Sequence, residues 1–326
     1  MPAAAGAAPE ALVAAAGHAT LMKSLARSHA VIAELVGGRG FHYVDIPVHG
    51  NIGDLLIMQG TLEFFRRNDL KPRLIAPVFA YSPQWLQPGE AIVFHGGGNF
   101  GDLYWQYGNQ PMREKAVAML PRNRIIVLPQ TLHFSSERER RRSAGIFRSH
   151  PDVHICVRDR QSYRLAQDFS DHVYLLPDMA HQLYPMAVPG AADGRGTLVI
   201  SRVDDEKTAG GRVEGPSTDW PQLVGEREKK IDAFRRGMRA LYRAGMGCPT
   251  GMLQARLWIA YAERLTAEAA GLFSAHSHIV TDRLHGHILA CLLDLPSTVM
   301  DNSYGKNSSY VETWTGASGL VRLRRG

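Results

Sequence analysis

Cysteine is scarce in this 326-residue chain: Cys156, Cys248 and Cys291 are widely spaced and odd in number. They build no CxxC pair and no disulfide framework, which fits a reducing compartment. Long apolar runs are missing as well. Nowhere do about 18 apolar residues follow one another, so no transmembrane helix is expected. The Ala-rich start is broken by Pro9, Glu10, His18 and Lys23, and it lacks the positive cluster and apolar run of a signal peptide. The sequon Asn307-Ser308-Ser309 then reads as a chance match. No GxxxxGK[ST] phosphate loop occurs, nor any RNP, zinc-finger or basic-zipper signature. The charge balance is mild, 37 Lys+Arg against 31 Asp+Glu for a net +6. That excess suits an anionic ligand or the inner face of a membrane and is too small to argue for nucleic acid.

What is present is the material of a folded core, 45% hydrophobic and 21% charged. Short Val/Ile-rich runs are expected as strands at 41–48, 73–78, 91–95, 124–129, 153–158 and 172–176. Helices fall between them, most clearly at 53–67 and 159–169. Continuous apolar strands separated by helices predict parallel sheet covered on both faces. The stretch 186–196, MAVPGAADGRG, reads as an interdomain linker. Beyond it the pattern restarts, with strands at 197–202, 278–282 and 296–301 and helices near 226–245, 252–274 and from 286. Two α/β units of unequal size with a cleft between them are expected, with ligands beyond the carboxyl ends of the strands.

The loops after those strands hold the candidate chemistry. In His49-Gly50-Asn51-Ile52-Gly53-Asp54, two glycines turn the chain into a helix whose N-terminus can receive an anion. It is equally a plain strand-to-helix turn with Asp54 as N-cap. The run His95-Gly96-Gly97-Gly98-Asn99-Phe100-Gly101-Asp102 satisfies GxGxxG, but the next strand ends in Leu-Pro-Gln-Thr at 128–131 without the carboxylate a dinucleotide ribose requires. Arg158, near Asp159 and Ser162, can aim a guanidinium fork at phosphate or carboxylate, or pair structurally with Asp159 or Asp178. The densest segment is Thr281-Asp282-Arg283-Leu284-His285-Gly286-His287. Read as extended chain, it projects Arg283 and His285 to one side. A fixed cation beside an imidazole suits acid–base work on an anionic substrate. A structural histidine at a helix start is the plainer account of His285, and His287 reads as structural. His276, His278, His285 and His287 form two HxH pairs but lack a carboxylate at helical spacing. Lastly, the polar loop 301–310 carries Lys306 and Ser308 and suits either an anion or plain solvent.

Together, GNIGDLLI (50–57), HGGGNFGDLY (95–104), LPQT (128–131), RDRQS (158–162), LPDMAH (176–181), DRLHGHILACLLDLP (282–296) and DNSYGKNSSY (301–310) resemble the polysaccharide pyruvyl transferase family, its bacterial exopolysaccharide members above all. The Ala-rich first 37 residues lie outside the resemblance. It implies two Rossmann-like domains in a GT-B-like arrangement with the active site between them, taken as 38–187 and 197–302. A helical extension at 1–37 would precede them, and a C-terminal segment at 303–326 would pack back on the N-terminal domain. It further implies transfer of pyruvate from phosphoenolpyruvate to a sugar of a lipid-linked glycan, as a ketal, in the cytoplasm or at the cytoplasmic membrane face beside other polysaccharide enzymes. His285 is the expected general acid. Arg158, Arg283 and Lys306 are the expected donor contacts, with Asn51, Asp54, Gly97, Gly98, Asn99, Asp102 and Ser308 as further substrate-binding candidates. No metal or other cofactor is required by this scheme. A nucleotide-sugar glycosyltransferase, with Asp205 or Glu206 as nucleotide contact, and a non-catalytic assembly scaffold are the competing readings. The poorly matched segment 203–225 is where acceptor specificity is expected, and the arginines of 138–142 and 322–325 are candidates for contact with anionic lipid.

Overall fold

The computed structural model describes residues 9–188, 194–202, 217–301 and 306–325. It is an α/β protein with two sheets, both parallel. Two compact units divide the chain. The larger consists of Ser28–Gln182 and Trp220–Thr266, the smaller of the residues up to Arg27, Leu183–Asp219, and those from Ala267 onward. Neither unit is therefore one continuous stretch: the helices of 220–266 group with the strands of 41–175 rather than with the neighbouring strands of 197–300.

The chain opens with α1 (Pro9–Ser28) and α2 (Ala30–Val36). The larger unit then runs through β1 (Phe41–Val44), α3 (Ile52–Arg67), β2 (Leu74–Ala76), β3 (Ala91–Phe94), β4 (Gly97–Gly101), α4 (Asn109–Met119), β5 (Arg124–His133), α5 (Glu137–Arg148), β6 (Val153–Val157), α6 (Arg160–Ala166) and β7 (His172–Leu175). Its sheet has the order β2-β1-β3-β5-β6-β7, with β4 also paired to β5. Strands β1, β3 and β6 are buried at every residue, as continuous apolar strands between helices must be. Phe100 of β4, Phe147 of α5 and Phe169 pack ring on ring, 5.4–5.5 Å between centroids.

The glycine-rich run, expected as a loop, instead continues beyond β3 as strand β4: the first half of β5 pairs with β3 and its second half with β4. The register shifts between Gly97 and Phe100, as in a bulged edge. Gly101 has φ +122°, and a Cβ there would lie 1.7 Å from the His133 carbonyl oxygen. Only glycine fits. Helix α4 starts eight residues later, at Asn109, so no helix N-terminus follows this GxGxxG as in a dinucleotide turn.

The smaller unit holds β8 (Thr197–Ile200), which is followed by two further helices of the larger unit. Those helices are α8 (Arg227–Arg243), preceded by the short α7 (Trp220–Val224), and α9 (Gly247–Ser274), which runs past the unit boundary at Thr266. Then come β9 (His278–Thr281), α10 (Leu284–Leu292), β10 (Ser297–Met300), α11 (Lys306–Tyr310) and β11 (Val321–Arg324). The sheet order is β11-β10-β9-β8. Within the smaller unit the basic tail completes this sheet by pairing with β10. Part of the expected linker (189–193), most of the segment 203–225 (203–216, with Asp205 and Glu206) and part of the last loop (302–305) lie outside the described residues.

Candidate functional site

In the larger unit the carboxyl ends of β1, β3, β5 and β6 hold a buried polar network. Asn51 is the N-cap of α3, its Oδ1 accepting from the Gly53 amide at 3.0 Å. Asp54 falls in the helix's first turn, so it is not the cap. A negative charge there complements the helix dipole, and its carboxylate lies 3.7 Å from His49 Nε2. A Cβ built on Gly97 would stand 3.6 Å from Asp54 Oδ1, so the first two motif loops meet. Gly98 sits in the same strand, half-buried.

Asn99 is held from three sides. Its Oδ1 accepts from Arg113 Nη2 at 2.6 Å and Gln130 Nε2 at 3.0 Å, and its carbonyl accepts from Arg113 Nη1 at 2.9 Å. Arg113, wholly buried on α4, also pairs with Asp45, which takes a left-handed φ of 72° at the end of β1 and is further bound by Asn109. Burial pushes Asp45 up to about 6 against the pull of Arg113 and Asn109, and it pushes Arg113 down. Asp102 accepts from the Ser135 amide at 2.8 Å and from its hydroxyl at 2.5 Å, which staples the end of β4 to the end of β5.

His95 is the least accounted-for group. Its Nδ1 meets the Tyr43 hydroxyl at 2.6 Å, while its buried Nε2 has no hydrogen-bond partner among the described residues. Burial drives its pKa down to about 3, so the ring is neutral. Arg158 follows β6. Its Nη1 donates to Asp178 at 2.5 Å and its Nε to Thr131 Oγ1 at 3.0 Å. Of the two expected acids, Asp178 is the partner. Asp159 instead caps α6, accepting from the Ser162 amide at 2.7 Å.

The smaller unit gathers a second group at the carboxyl ends of β8, β9 and β10. Arg283 forms a fork-to-fork pair with Asp219, Nε to Oδ1 at 2.8 Å and Nη2 to Oδ2 at 2.5 Å, with Asp219 wholly buried. Such bidentate pairs fix the guanidinium plane. Asp282 accepts from Ser201 Oγ and the Arg202 amide, both at 2.9 Å, tying β9 to the end of β8. Asn307 donates to the carbonyls of Asp282 (2.6 Å) and Met300 (3.0 Å), and the Ser308 amide donates to Asp301 (3.2 Å). Helix α11 is thereby pinned beside the Asp282-Arg283 turn. Lys306 begins that helix, and its side chain lies outside the described residues.

The expected extended geometry of Arg283 and His285 does not hold. Arg283 is extended, but as the N-cap of α10, and His285 is already in the helix, where residues two apart do not face the same side. His285 is half-buried at this helix start, where backbone amides favour an anion. His287 is buried and bonded to Ser297 (3.2 Å) and Thr315 (2.8 Å), as a structural residue is. His276 and His278 bond to the Leu272 carbonyl and Thr298, and among the described residues no three His, Cys, Asp or Glu side chains gather as metal ligands.

Sequence reasoning missed Asp45, Arg113 and Asp219, and it quoted His95 and Gln130 within their motifs without assigning either a role. A lone acid ending an apolar strand was a legible signal for Asp45. Nothing local marks Arg113 or Asp219, whose partners lie 68 and 64 residues away.

Strand-end loops carrying arginines, amides and carboxamides on a parallel α/β frame lie where open α/β sheets bind their ligands. The polysaccharide pyruvyl transferase family model matches residues 51–304, more than half of the chain. The chain belongs to that family. It is 38% identical over 292 residues to EpsO of Bacillus subtilis, a candidate pyruvyl transferase, covering 86% of this chain and 87% of that protein. It is 30% identical to pyruvyl transferase 1 of Schizosaccharomyces pombe over 69% of this chain and 54% of that protein. A crystal structure of a functionally uncharacterized Klebsiella pneumoniae protein shares the fold, with TM-score 0.62 at 18% identity over 92% of this chain and 98% of that one.

Proposed function

We propose that this chain transfers the pyruvyl unit of phosphoenolpyruvate to two hydroxyls of one sugar in a lipid-linked exopolysaccharide precursor at the cytoplasmic face of the membrane. The product is a ketal, and phosphate is released. The observation that carries this reading is the Arg283-Leu284-His285 turn: a guanidinium locked by a buried carboxylate, followed at once by an imidazole at a helix N-terminus. The two parallel sheets support a Rossmann-like, GT-B-like class for the enzyme.

In the proposed reaction His285 protonates C3 of the enol, leaving C2 electrophilic. One sugar hydroxyl adds at C2, the bond from C2 to the phosphate oxygen breaks, and the second hydroxyl closes the ketal. Of the two hydroxyl protons released, one restores His285 and the other leaves with phosphate. Arg158, Arg283 and Lys306 are the proposed contacts for the donor's carboxylate and phosphate, stabilising charge that develops on the departing group. The carboxylates behind Arg158 and Arg283 support this role, because they orient each fork before the substrate arrives. Asn51, Asp54, Gly97, Gly98, Asn99, Asp102 and Ser308 belong to the loops proposed to surround the substrates. The cations of this scheme are side chains, so its steps need no metal.

A panel of lipid-linked and synthetic glycosides incubated with phosphoenolpyruvate tests the proposal. Phosphate release matched by a ketal mass shift is expected, and stabilisation by a nucleotide sugar in place of phosphoenolpyruvate would overturn it. A general acid contributes about 10²–10⁴ in rate. His285→Ala is therefore expected to lose at least about a hundredfold in turnover while still binding donor. Turnover near wild type would remove the histidine from the mechanism.

A further inference from the structure

The chain's positive excess is concentrated. From Arg227 to Thr266 nine Lys/Arg face three Asp/Glu, a net +6 that equals the balance of all 326 residues. The segment comprises α8 and the larger unit's share of α9, joined at Phe234 and Trp258, whose rings stack at 6.0 Å. The inner side of this hairpin packs on the first motif loop. Trp258 Nε1 donates to the Pro47 carbonyl at 2.6 Å, and a Cβ on Gly50 would meet Glu228 at 2.6 Å.

The outer side is unusual. Leu253 and Leu257 are 61% and 57% exposed, and Leu241 and Met246 are exposed at the end of α8 and in the connection. Along α9 the exposed residues Leu253, Arg256, Leu257 and Ala260 recur at helical spacing, so leucine and arginine share one stripe. On α8, Arg236 and Arg243 are exposed seven residues apart, again on one face. Arg236, Arg243 and Arg256 make no ion pair among the described residues. The other arginine cluster behaves differently. On α5, Arg140, Arg141 and Arg142 are neutralised by Glu137, Asp168, Glu114 and Glu139, which leaves little field for an anionic surface.

We infer that the outer face of the α8–α9 hairpin docks this protein on an anionic bilayer, its leucines entering the headgroup boundary and its arginines meeting lipid phosphate. Exposed apolar side chains flanked by unpaired cations are what an interfacial helix presents to anionic lipid. Docking there also sets the loop at 47–50, and with it the larger unit's candidate site, on the element that touches the membrane. This deepens the proposed function and rests on its lipid-linked acceptor.

The test is flotation of the full chain with phosphatidylcholine vesicles and with vesicles containing phosphatidylglycerol. Binding to the anionic vesicles alone, weakened by salt, is expected. Replacing Arg236, Arg243 and Arg256 by Gln is expected to weaken it about a hundredfold, and Leu253→Gln with Leu257→Gln to weaken it further. Gln at Arg140, Arg141 and Arg142 is expected to change little. Pyruvylation of a soluble glycoside, read separately, is expected to be unchanged in all of these variants, so a failed reaction and a failed docking are told apart. Three results would overturn the inference: equal binding to neutral vesicles, equal loss with the α5 variant, or a dimer in solution that the leucine substitutions dissociate.

Discussion

Removing Asp219 isolates the pair on which the donor site is argued to depend. Asp219 is fully buried and Arg283 is 11% exposed, and two charge-assisted hydrogen bonds join them. Deleting one member of a buried pair costs about 3–5 kcal/mol. The small exposure of Arg283 places Asp219→Ala at the lower end, about 3 kcal/mol. For a unit of this size that corresponds to a melting shift of about 11 °C. The double variant Asp219→Leu with Arg283→Met removes both charges and is expected to recover stability to within about 1 kcal/mol of wild type, because well-packed apolar replacements of buried pairs are tolerated. It is expected to recover no turnover. Scanning calorimetry and phosphate release on the same three proteins separate the two roles. A single variant that melts with wild type, or a double variant that melts below the single one, would refute the reasoning.

His95 makes the fold acid-sensitive. Its folded pKa of about 3 lies below the ordinary 6.5, so the unfolded chain binds the extra proton. Stability is complete above about pH 6.5 and falls as pH drops toward 3, by about 2 kcal/mol between pH 7 and 5. Urea unfolding of His95→Gln is expected to lose about that much less over the same interval, and equal losses in the two proteins would exclude the effect. Gly101→Ala is expected to cost about 3 kcal/mol or more, since a left-handed backbone and a carbonyl in contact leave a methyl no room. Gly145→Ala, with nothing within 4 Å on α5, is expected to stabilise by about 0.5–1 kcal/mol. Thermal melts of the two check the contrast.

Much of the frame was legible because buried parallel strands announce themselves by composition. The runs at 91–95, 153–158 and 278–282 became β3, β6 and β9 within a residue at either end. Two strands escaped. Gly97–Gly101 has none of the β-branched side chains that mark a strand, and Val321–Arg324 alternates apolar and basic residues like a solvated tail. Both exist because a longer or buried neighbour, β5 or β10, offers its backbone edge for pairing. The same limit applied to His285, whose helix began earlier than the expected start at 286.

What the order of residues determined by itself was the chemistry available: which loops end strands, which carry glycine, arginine and histidine, and which family shares their succession. Only the closed tertiary structure decided how those groups are employed. It set Asp219 against Arg283, Asp45 against Arg113 and Asp178 against Arg158, and left His95 Nε2 buried without a partner among the described residues. The physical reason is that a strand or helix start is a local property of a few residues. The partner of a buried charge is whichever opposite charge the folded chain brings within reach after water has been expelled.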